Sequence, residues 1–163
     1  MKGNQLVIKS GNLLILIAII LLLGSCGSAR KARERKIDTV IRTARSYTGT
    51  PYKWGGTTRS GMDCSGLLIN SFKAIDYPIP RTSDEQRKIG KKVKLDDLKE
   101  GDLVFFATGK KKRRITHVGL VTNRRGGEKV SFIHASSSLG VVETNIYSDY
   151  YLDRFRYGRR IIK

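Results

Sequence analysis

The sequence is poor in side chains that can act as nucleophiles, bases or metal ligands. It contains two cysteines and two histidines among 163 residues, and 14 acidic residues against 32 basic ones. The cysteines and histidines are widely separated, and their spacing matches no familiar zinc motif, so we expect neither a metal site nor a cofactor. Any chemistry that this chain performs must therefore depend on very few groups.

The sequence also lacks an apolar run long enough to span a membrane. The longest run, residues 13–23, has 11 residues, whereas a transmembrane helix needs about 20. It follows Lys2 and Lys9 and reads as the core of a signal peptide over residues 1–25. The next residues, Leu23-Gly24-Ser25-Cys26, resemble a lipobox in which Cys26 becomes the acylated N-terminus. A plain secretory signal or a short membrane anchor remains an alternative.

Cleavage before Cys26 would leave 138 residues, enough for a single domain with a sizeable core. This part carries 30 basic and 14 acidic side chains, a formal charge of +16. Inside a cell such a charge would favour nucleic acid, but export excludes that partner and favours wall peptides or anionic lipids. We expect a lipidated basic tether over residues 26–36 and a domain over residues 37–163.

Three short motifs contain the chemistry of the exported chain. They are Asp63-Cys64-Ser65-Gly66, Thr116-His117-Val118-Gly119 and His134-Ala135-Ser136. With Cys26 acylated, Cys64 is the only free thiol, so it has no disulfide partner within the chain. A buried cysteine and two core histidines are the simple interpretation of each residue alone. Together they supply a nucleophile, a base and a residue to orient the base.

The first half of the domain is predicted to be helical. Apolar residues at helical spacing from Ile37 indicate a helix that ends near Gly49. Asp63 is a plausible N-cap for a second helix that contains Leu67, Leu68, Phe72 and Ile75, which places Cys64 in the first turn. There the unpaired backbone N–H groups would stabilise a thiolate. Ser83 and Gln86 resemble a capping box that opens a third, short helix.

The second half is predicted to consist of strands. After Gly101, β-branched and aromatic runs alternate with glycine-containing or charged connections, at residues 103–107, 117–122, 130–135, 141–146 and 156–162. Helices followed by a meander of strands indicate an α+β fold, with N-terminal helices packed on an antiparallel β-sheet. His117 and His134 would open or close neighbouring strands, within reach of a helix end.

Several motifs resemble the NlpC and p60 family of papain-like cell-wall cysteine peptidases. They are Pro51-Tyr52-x-Trp54-Gly55-Gly56, Asp63-Cys64-Ser65-Gly66, Gly101-Asp102-Leu103-Val104-Phe105-Phe106, His117-Val118-Gly119 and His134-Ala135. The resemblance covers nearly all of residues 37–162. It implies a papain-like fold and hydrolysis of peptide bonds in the stem peptides of peptidoglycan.

The resemblance also implies a role for each site residue. Cys64 would be the nucleophile, His117 the general base and acid, and His134 the residue that orients His117. Cys64 and His117 would form a thiolate and imidazolium pair. Tyr52, Asp63 and Ser65 would contact substrate, with the Tyr52 hydroxyl as an additional oxyanion donor. Trp54 is either a core aromatic residue or a substrate contact.

The scissile bond is left open by the sequence. No residues remain for a second domain that would close the groove, so an open groove and cleavage in the intact wall are expected. The bond is the cross-link between D-alanine and diaminopimelate, which is slightly favoured, or the D-glutamyl to diaminopimelate bond. A binding lipoprotein that holds wall peptides or a protein without turnover is the alternative function.

Gly27 follows Cys26 where an aspartate would favour retention in the inner membrane. We therefore expect a monomer anchored to the outer membrane by lipid, which faces the periplasm. The basic runs Lys110–Arg114 and Arg124–Arg125 are either solvated hairpin ends or a surface that attracts anionic ligands.

Overall fold

The computed structural model describes the backbone of residues 10–163 and the side chains of residues 27–163. The chain divides into two units, one up to Arg35 and one from Lys36 to Lys163. The predicted signal peptide and Cys26, the predicted lipidation residue, lie outside the residues whose side chains are described. Among the described residues, no helix has both the length and the apolar character needed to cross a membrane.

The first helix, α1, is longer than the sequence predicts. It spans Ser10–Arg45 and includes residues 27–36 of the predicted tether. This segment shows no apolar periodicity, but alanine, arginine, lysine and glutamate are strong helix formers in their own right. An exposed ion pair between Arg30 and Glu34, 3.0 Å long and one turn apart, adds to this propensity. The predicted apolar face from Ile37 is confirmed, since Val40, Ile41 and Ala44 are buried.

The second helix, α2, spans Cys64–Lys73 and begins as predicted. A side-chain oxygen of Asp63 accepts a hydrogen bond of 2.7 Å from the Gly66 N–H, which makes Asp63 the N-cap. The helix ends before Ile75, which packs against the core from the following turn.

The third helix, α3, spans Ser83–Gln86, but its capping box lies one residue earlier than predicted. The box is formed by Thr82 and Glu85 rather than by Ser83 and Gln86. Gln86 is fully buried and donates instead to the carbonyl of Pro80 at 2.8 Å. A buried amide needs a partner of its own, so this side chain is not free to cap the helix.

The strands form one six-stranded sheet in which every neighbouring pair is antiparallel. The order is β3-β8-β4-β5-β6-β7, and β1 and β2 form a separate small hairpin. The predicted α+β class with an antiparallel sheet is confirmed. The strands are β1 (Thr57–Thr58), β2 (Gly61–Met62), β3 (Lys91–Val93), β4 (Leu103–Phe106), β5 (His117–Arg124), β6 (Val130–Ser136), β7 (Gly140–Asn145) and β8 (Phe155–Arg160).

The prediction that everything after Gly101 is strand was wrong at one place. A fourth helix, α4, spans Asp149–Arg154 between β7 and β8. It has only six residues, and its N-cap Ser148 makes no side-chain capping bond. A helix this short shows no helical periodicity in the sequence, so its tyrosines look like strand residues. The short strands β1, β2 and β3 escaped prediction for the same reason of length.

Apolar clusters cover both faces of the six-stranded sheet. The larger cluster joins α1 and α2 to side chains such as Leu103, Phe105 and Leu120. The smaller one contains Val104, Phe106 and Phe132, with Tyr151 from α4 packed against it. The alternation along β4 sends successive side chains to opposite faces. As a result α2 and α4 are both anchored on the sheet, near the strands that carry the two histidines.

Candidate active site

Cys64 is the first residue of α2 and is 8 % exposed. It is a free cysteine. The backbone N–H groups of Val118, Ser65 and Cys64 itself favour the ionised form of the thiol and act to lower its pKa. Val118 follows His117 directly in β5 and packs in the same apolar cluster as Cys64, so the thiol lies beside the first histidine motif. The fold therefore joins two segments that lie far apart in the sequence.

Two motif glycines are required by close packing around this junction. A Cβ at Gly66 would collide with the carbonyl oxygen of Gly56, so only glycine lets the glycine-rich loop lie against the start of α2. A Cβ at Gly119 would lie 2.5 Å from the ring of Phe132 and 2.9 Å from the carbonyl oxygen of Ile133. These contacts bring β5 and β6 together, and with them the two histidines.

His117 and His134 form a direct pair. Nε2 of His117 lies 3.0 Å from Nδ1 of His134, and the two rings are nearly perpendicular at 86°. His117 is the first residue of β5, opposite Phe106 of β4, while His134 lies within β6. The pair leaves Nδ1 of His117 as the ring nitrogen that is not bonded to His134.

Burial favours the neutral forms of Cys64, His117 and His134. It raises the pKa of the Cys64 thiol to about 11, although the three backbone N–H groups act in the opposite direction. It lowers the pKa of His117 to about 4 and that of His134 to about 3. Burial therefore works against the thiolate and imidazolium pair that the family resemblance implies.

Asp63 and Ser65 flank Cys64 and are tied into one buried network. Beyond its bond to the Gly66 N–H, the Asp63 carboxylate accepts from the Ser65 hydroxyl at 2.9 Å and the Gly55 N–H at 2.9 Å. Arg81 donates to both carboxylate oxygens, at 3.1 and 2.7 Å, and to the Ser65 hydroxyl at 2.9 Å. These bonds outweigh burial and lower the pKa of Asp63. The network fixes the backbone on both sides of the thiol.

An open groove passes over these groups. It consists of two adjoining cavities of about 310 and 620 Å³ that share Tyr52, Trp54 and Thr116. The smaller contains Cys64, Asp63, Ser65 and Arg81, and the larger contains both histidines. Burial is the main cause that raises the pKa of Tyr52, so its hydroxyl keeps its proton. Trp54 is 85 % exposed, which rules out the core alternative for this residue.

Three groups at the site were not singled out by the sequence. Arg81 lies in a proline-containing loop, Thr144 in β7 and Tyr151 in α4. The hydroxyls of Thr144 and Tyr151 lie 3.1 and 3.3 Å from Nε2 of His134. Threonine and tyrosine are common in strands, so nothing in the pattern marks them. Among the residues with described side chains, no group of His, Cys, Asp and Glu could hold a metal ion.

Comparison with known proteins identifies a family with these features. The sequence profile of the NlpC/P60 family matches residues 49–160. The chain is 38 % identical over 157 residues to the probable endopeptidase NlpC of Escherichia coli K12, and covers 97 % of that protein. The match includes 91 % of the present chain.

Two further matches extend the comparison. The chain is 47 % identical over 93 residues to a gamma-D-glutamyl-L-lysine dipeptidyl-peptidase of Bacillus subtilis, with 57 % of this chain and 30 % of that protein aligned. A crystal structure of an NlpC/P60 family protein from Bacillus cereus superposes with a TM-score of 0.69 at 30 % identity. That superposition covers 78 % of this chain and 40 % of the other.

Proposed function

Because this chain belongs to the NlpC/P60 family, we propose that it is a cysteine endopeptidase that hydrolyses stem peptides or cross-links of bacterial peptidoglycan. The observation that carries the proposal is that Cys64 packs in one cluster with Val118, the residue after His117, while His117 pairs with His134 in the adjoining part of the same groove. A binding lipoprotein without turnover would need none of these three groups, yet all three positions are filled.

The mechanism starts from neutral groups. His117 would take the Cys64 proton as the sulfur attacks the scissile carbonyl, and the imidazolium would then protonate the leaving amine. Water, deprotonated by His117, would release the acyl group from the sulfur. His134 would orient the ring of His117 through the 3.0 Å bond and stabilise its charged form.

The negative charge that develops on the carbonyl oxygen needs hydrogen-bond donors. The backbone N–H groups of Cys64 and Ser65 lie at the N-terminus of α2, where the helix dipole also favours negative charge. The protonated Tyr52 hydroxyl borders the same cavity and would be a third donor. Asp63 and Ser65 would contact substrate from the groove wall while Arg81 holds them in place.

The groove fits a peptide within the wall rather than only a short free one. It is open and lined by the exposed indole of Trp54, and an open cleft admits a chain that continues beyond both ends. The cross-link between D-alanine and diaminopimelate is the bond that we slightly favour. The D-glutamyl to diaminopimelate bond is the second, and the name of the Bacillus subtilis relative supports it.

Digestion of purified peptidoglycan, followed by mass spectrometry of the fragments, tests this function and identifies the bond. The intact chain should release peptides, and Cys64→Ala should release none while it keeps its circular dichroism spectrum. Ser60→Ala is the matched control, because Ser60 is exposed and lines neither cavity of the groove. Equal digestion by Cys64→Ala would refute the cysteine mechanism.

We also propose that the chain is a monomeric lipoprotein, acylated at Cys26, on the periplasmic face of the outer membrane. The lipobox and the glycine that follows it support this proposal. Cys26→Ala should move the protein from the membrane to the soluble fraction without changing the activity of the purified protein. Retention of this variant in the membrane would indicate an uncleaved anchor instead.

A further inference from the structure

The imidazole of His134 is bonded at both of its nitrogens. Nδ1 faces Nε2 of His117 at 3.0 Å. Nε2 faces two hydroxyls, Thr144 Oγ1 at 3.1 Å and the Tyr151 hydroxyl at 3.3 Å. These two residues come from different elements, β7 and α4. Their hydroxyls are thus placed to control which nitrogen of His134 carries the hydrogen.

The position of that hydrogen decides whether His117 can act as a base. A neutral imidazole has one N–H group, and burial keeps His134 neutral by lowering its pKa to about 3. A hydrogen on Nδ1 of His134 would point at Nε2 of His117 and force the hydrogen of that ring onto its own Nδ1. A hydrogen on Nε2 of His134 leaves Nδ1 to accept from His117, whose Nδ1 then has a free lone pair.

We propose that Thr144 and Tyr151 are positioning residues that accept the hydrogen bond from Nε2–H of His134 and so keep Nδ1 of His117 free to receive the Cys64 proton. This inference rests on the proposed roles of Cys64 and His117. It adds two residues, from β7 and α4, to the chain of hydrogen bonds behind the thiol. Loss of both acceptors would leave a buried N–H without a partner and favour the other tautomer.

The surrounding rings hold this arrangement in place. Phe132 stacks on His134 with 4.7 Å between centroids and 18° between planes. Tyr151 packs against His134 at 5.1 Å and 65°, and against Phe106 at 5.3 Å and 68°. Burial raises the pKa of Tyr151 to about 12, so its hydroxyl stays neutral and retains lone pairs that can accept. The imidazole therefore has little freedom to turn its nitrogens away from their partners.

The histidine tautomers can be observed directly by NMR. The chain has only two histidines, so long-range ¹H–¹⁵N correlation on the ¹⁵N-histidine-labelled full chain shows two imidazoles. We expect hydrogen on Nε2 in both rings. Thr144→Val and Tyr151→Phe each remove one acceptor, and the double variant should populate the Nδ1–H form of His134. A wild-type spectrum with hydrogen on Nδ1 of His134 overturns the proposal.

Turnover of a soluble wall peptide provides the second readout. Each single variant should lower kcat about fivefold and the double variant about a hundredfold, with KM nearly unchanged. Thr144→Ser keeps the hydroxyl, so in place of Thr144→Val in the double variant it should restore the tautomer and return kcat to that of Tyr151→Phe alone. Tyr147→Phe is the matched control, since Tyr147 packs against the same apolar cluster as Tyr151 but does not line the groove.

The possible results separate this proposal from the proposed function. A double variant that remains folded and keeps the wild-type tautomer and kcat would overturn the positioning role. If the double variant fails to fold, the single variants test the positioning role. A Thr144→Val variant with the same kcat as Thr144→Ser and the wild type would overturn it. The NMR result needs no turnover, so an inactive wild-type protein would contradict the proposed function and leave the tautomer measurement intact.

Discussion

His117 and His134 are adjacent in space but should differ in their importance for turnover. His117 must accept and donate a proton, whereas His134 only orients it through the 3.0 Å bond. We expect His117→Ala to lower kcat by about 10⁴-fold and His134→Ala by about 10²-fold. Rates of peptide release from purified peptidoglycan measure both. Activity that survives the loss of His117 would contradict its assignment as the base.

Sequence reasoning could name candidate reactive groups because nucleophiles and bases are few in this chain. With one cysteine in the predicted domain and two histidines, there was little choice of candidates, and the structure brings all three to one groove. The residues that contact these three groups were not predicted, because their residue types are common in any sequence. Arg81, Thr144 and Tyr151 gain their significance only from the partners that the fold gives them. The protonation state was also unpredictable, since it depends on burial.

The N-terminus of α2 should depend strongly on Asp63. Its carboxylate caps the helix and binds Arg81 while only 7 % exposed. Asp63→Ala should lower the free energy of unfolding by about 2 kcal/mol and the melting temperature by about 4–8 °C. Thermal unfolding measured by circular dichroism checks this prediction.

Asp84→Ala is the matched control for the cap. It also removes an aspartate paired with an arginine, Arg87 at 2.7 Å, but on the exposed surface of α3. Exposed ion pairs contribute little because water screens them. The melting temperature of this variant should stay near that of the wild type. An equal decrease in both variants would mean that the Asp63 network has no special role at the start of α2.

Helices and strands were predictable where a capping residue or a long run of apolar residues marked them in the sequence. The Asp63 cap marked the start of α2, and the β-branched runs gave the five long strands of the sheet. The helical conformation of residues 27–36 was not predicted, because helix propensity, not apolar periodicity, determines that part of α1. The helix α4 was missed because six residues are too few to show a period, and its position depends on tertiary packing of Tyr151 against Phe132 at 4.9 Å.

The stability of the whole molecule should fall on acidification. Burial lowers the pKa of His117 to about 4 and that of His134 to about 3, from an ordinary value of 6.5. Below that value the unfolded chain binds protons that the native one does not, so stability is lost as pH falls from about 6.5 towards 4. The melting temperature should decrease over this range.

The melting temperature of His134→Gln should decrease less over the same pH range, because this variant lacks one of the two histidines with a lowered pKa. The raised pKa of Cys64, about 11 against 9.0, acts at the alkaline end, where stability is lost as pH rises through that interval. A melting temperature that stays constant from about pH 7 to about pH 4.5 would show that the imidazoles are not held neutral.

The surface of the domain carries a second feature beside the groove, which we call the basic cleft. It is a cavity of about 400 Å³ lined by Arg87, Lys112, Arg113, Arg114 and Arg156, with Asp84 as its one acidic residue. Nε of Arg156 in β8 donates to the carbonyl of Lys112 at 2.8 Å. This bond holds the basic run Lys110–Arg114 against β8. The helix α3 separates the two sites, since Thr82 and Ser83 line the groove while Asp84 and Arg87 line the cleft.

The position of the basic cleft predicts that it attracts the carboxylates of wall peptides next to the groove. Arg113→Glu combined with Arg114→Glu should weaken binding to purified peptidoglycan about tenfold at low salt, and salt should remove most of the difference because it screens exposed charges. Sedimentation of the protein with insoluble peptidoglycan measures this. Arg125→Glu combined with Lys129→Glu changes the net charge equally on an exposed loop outside the cleft. If both pairs weaken binding to the same extent, net charge alone draws the protein to the wall and the cleft has no part in it.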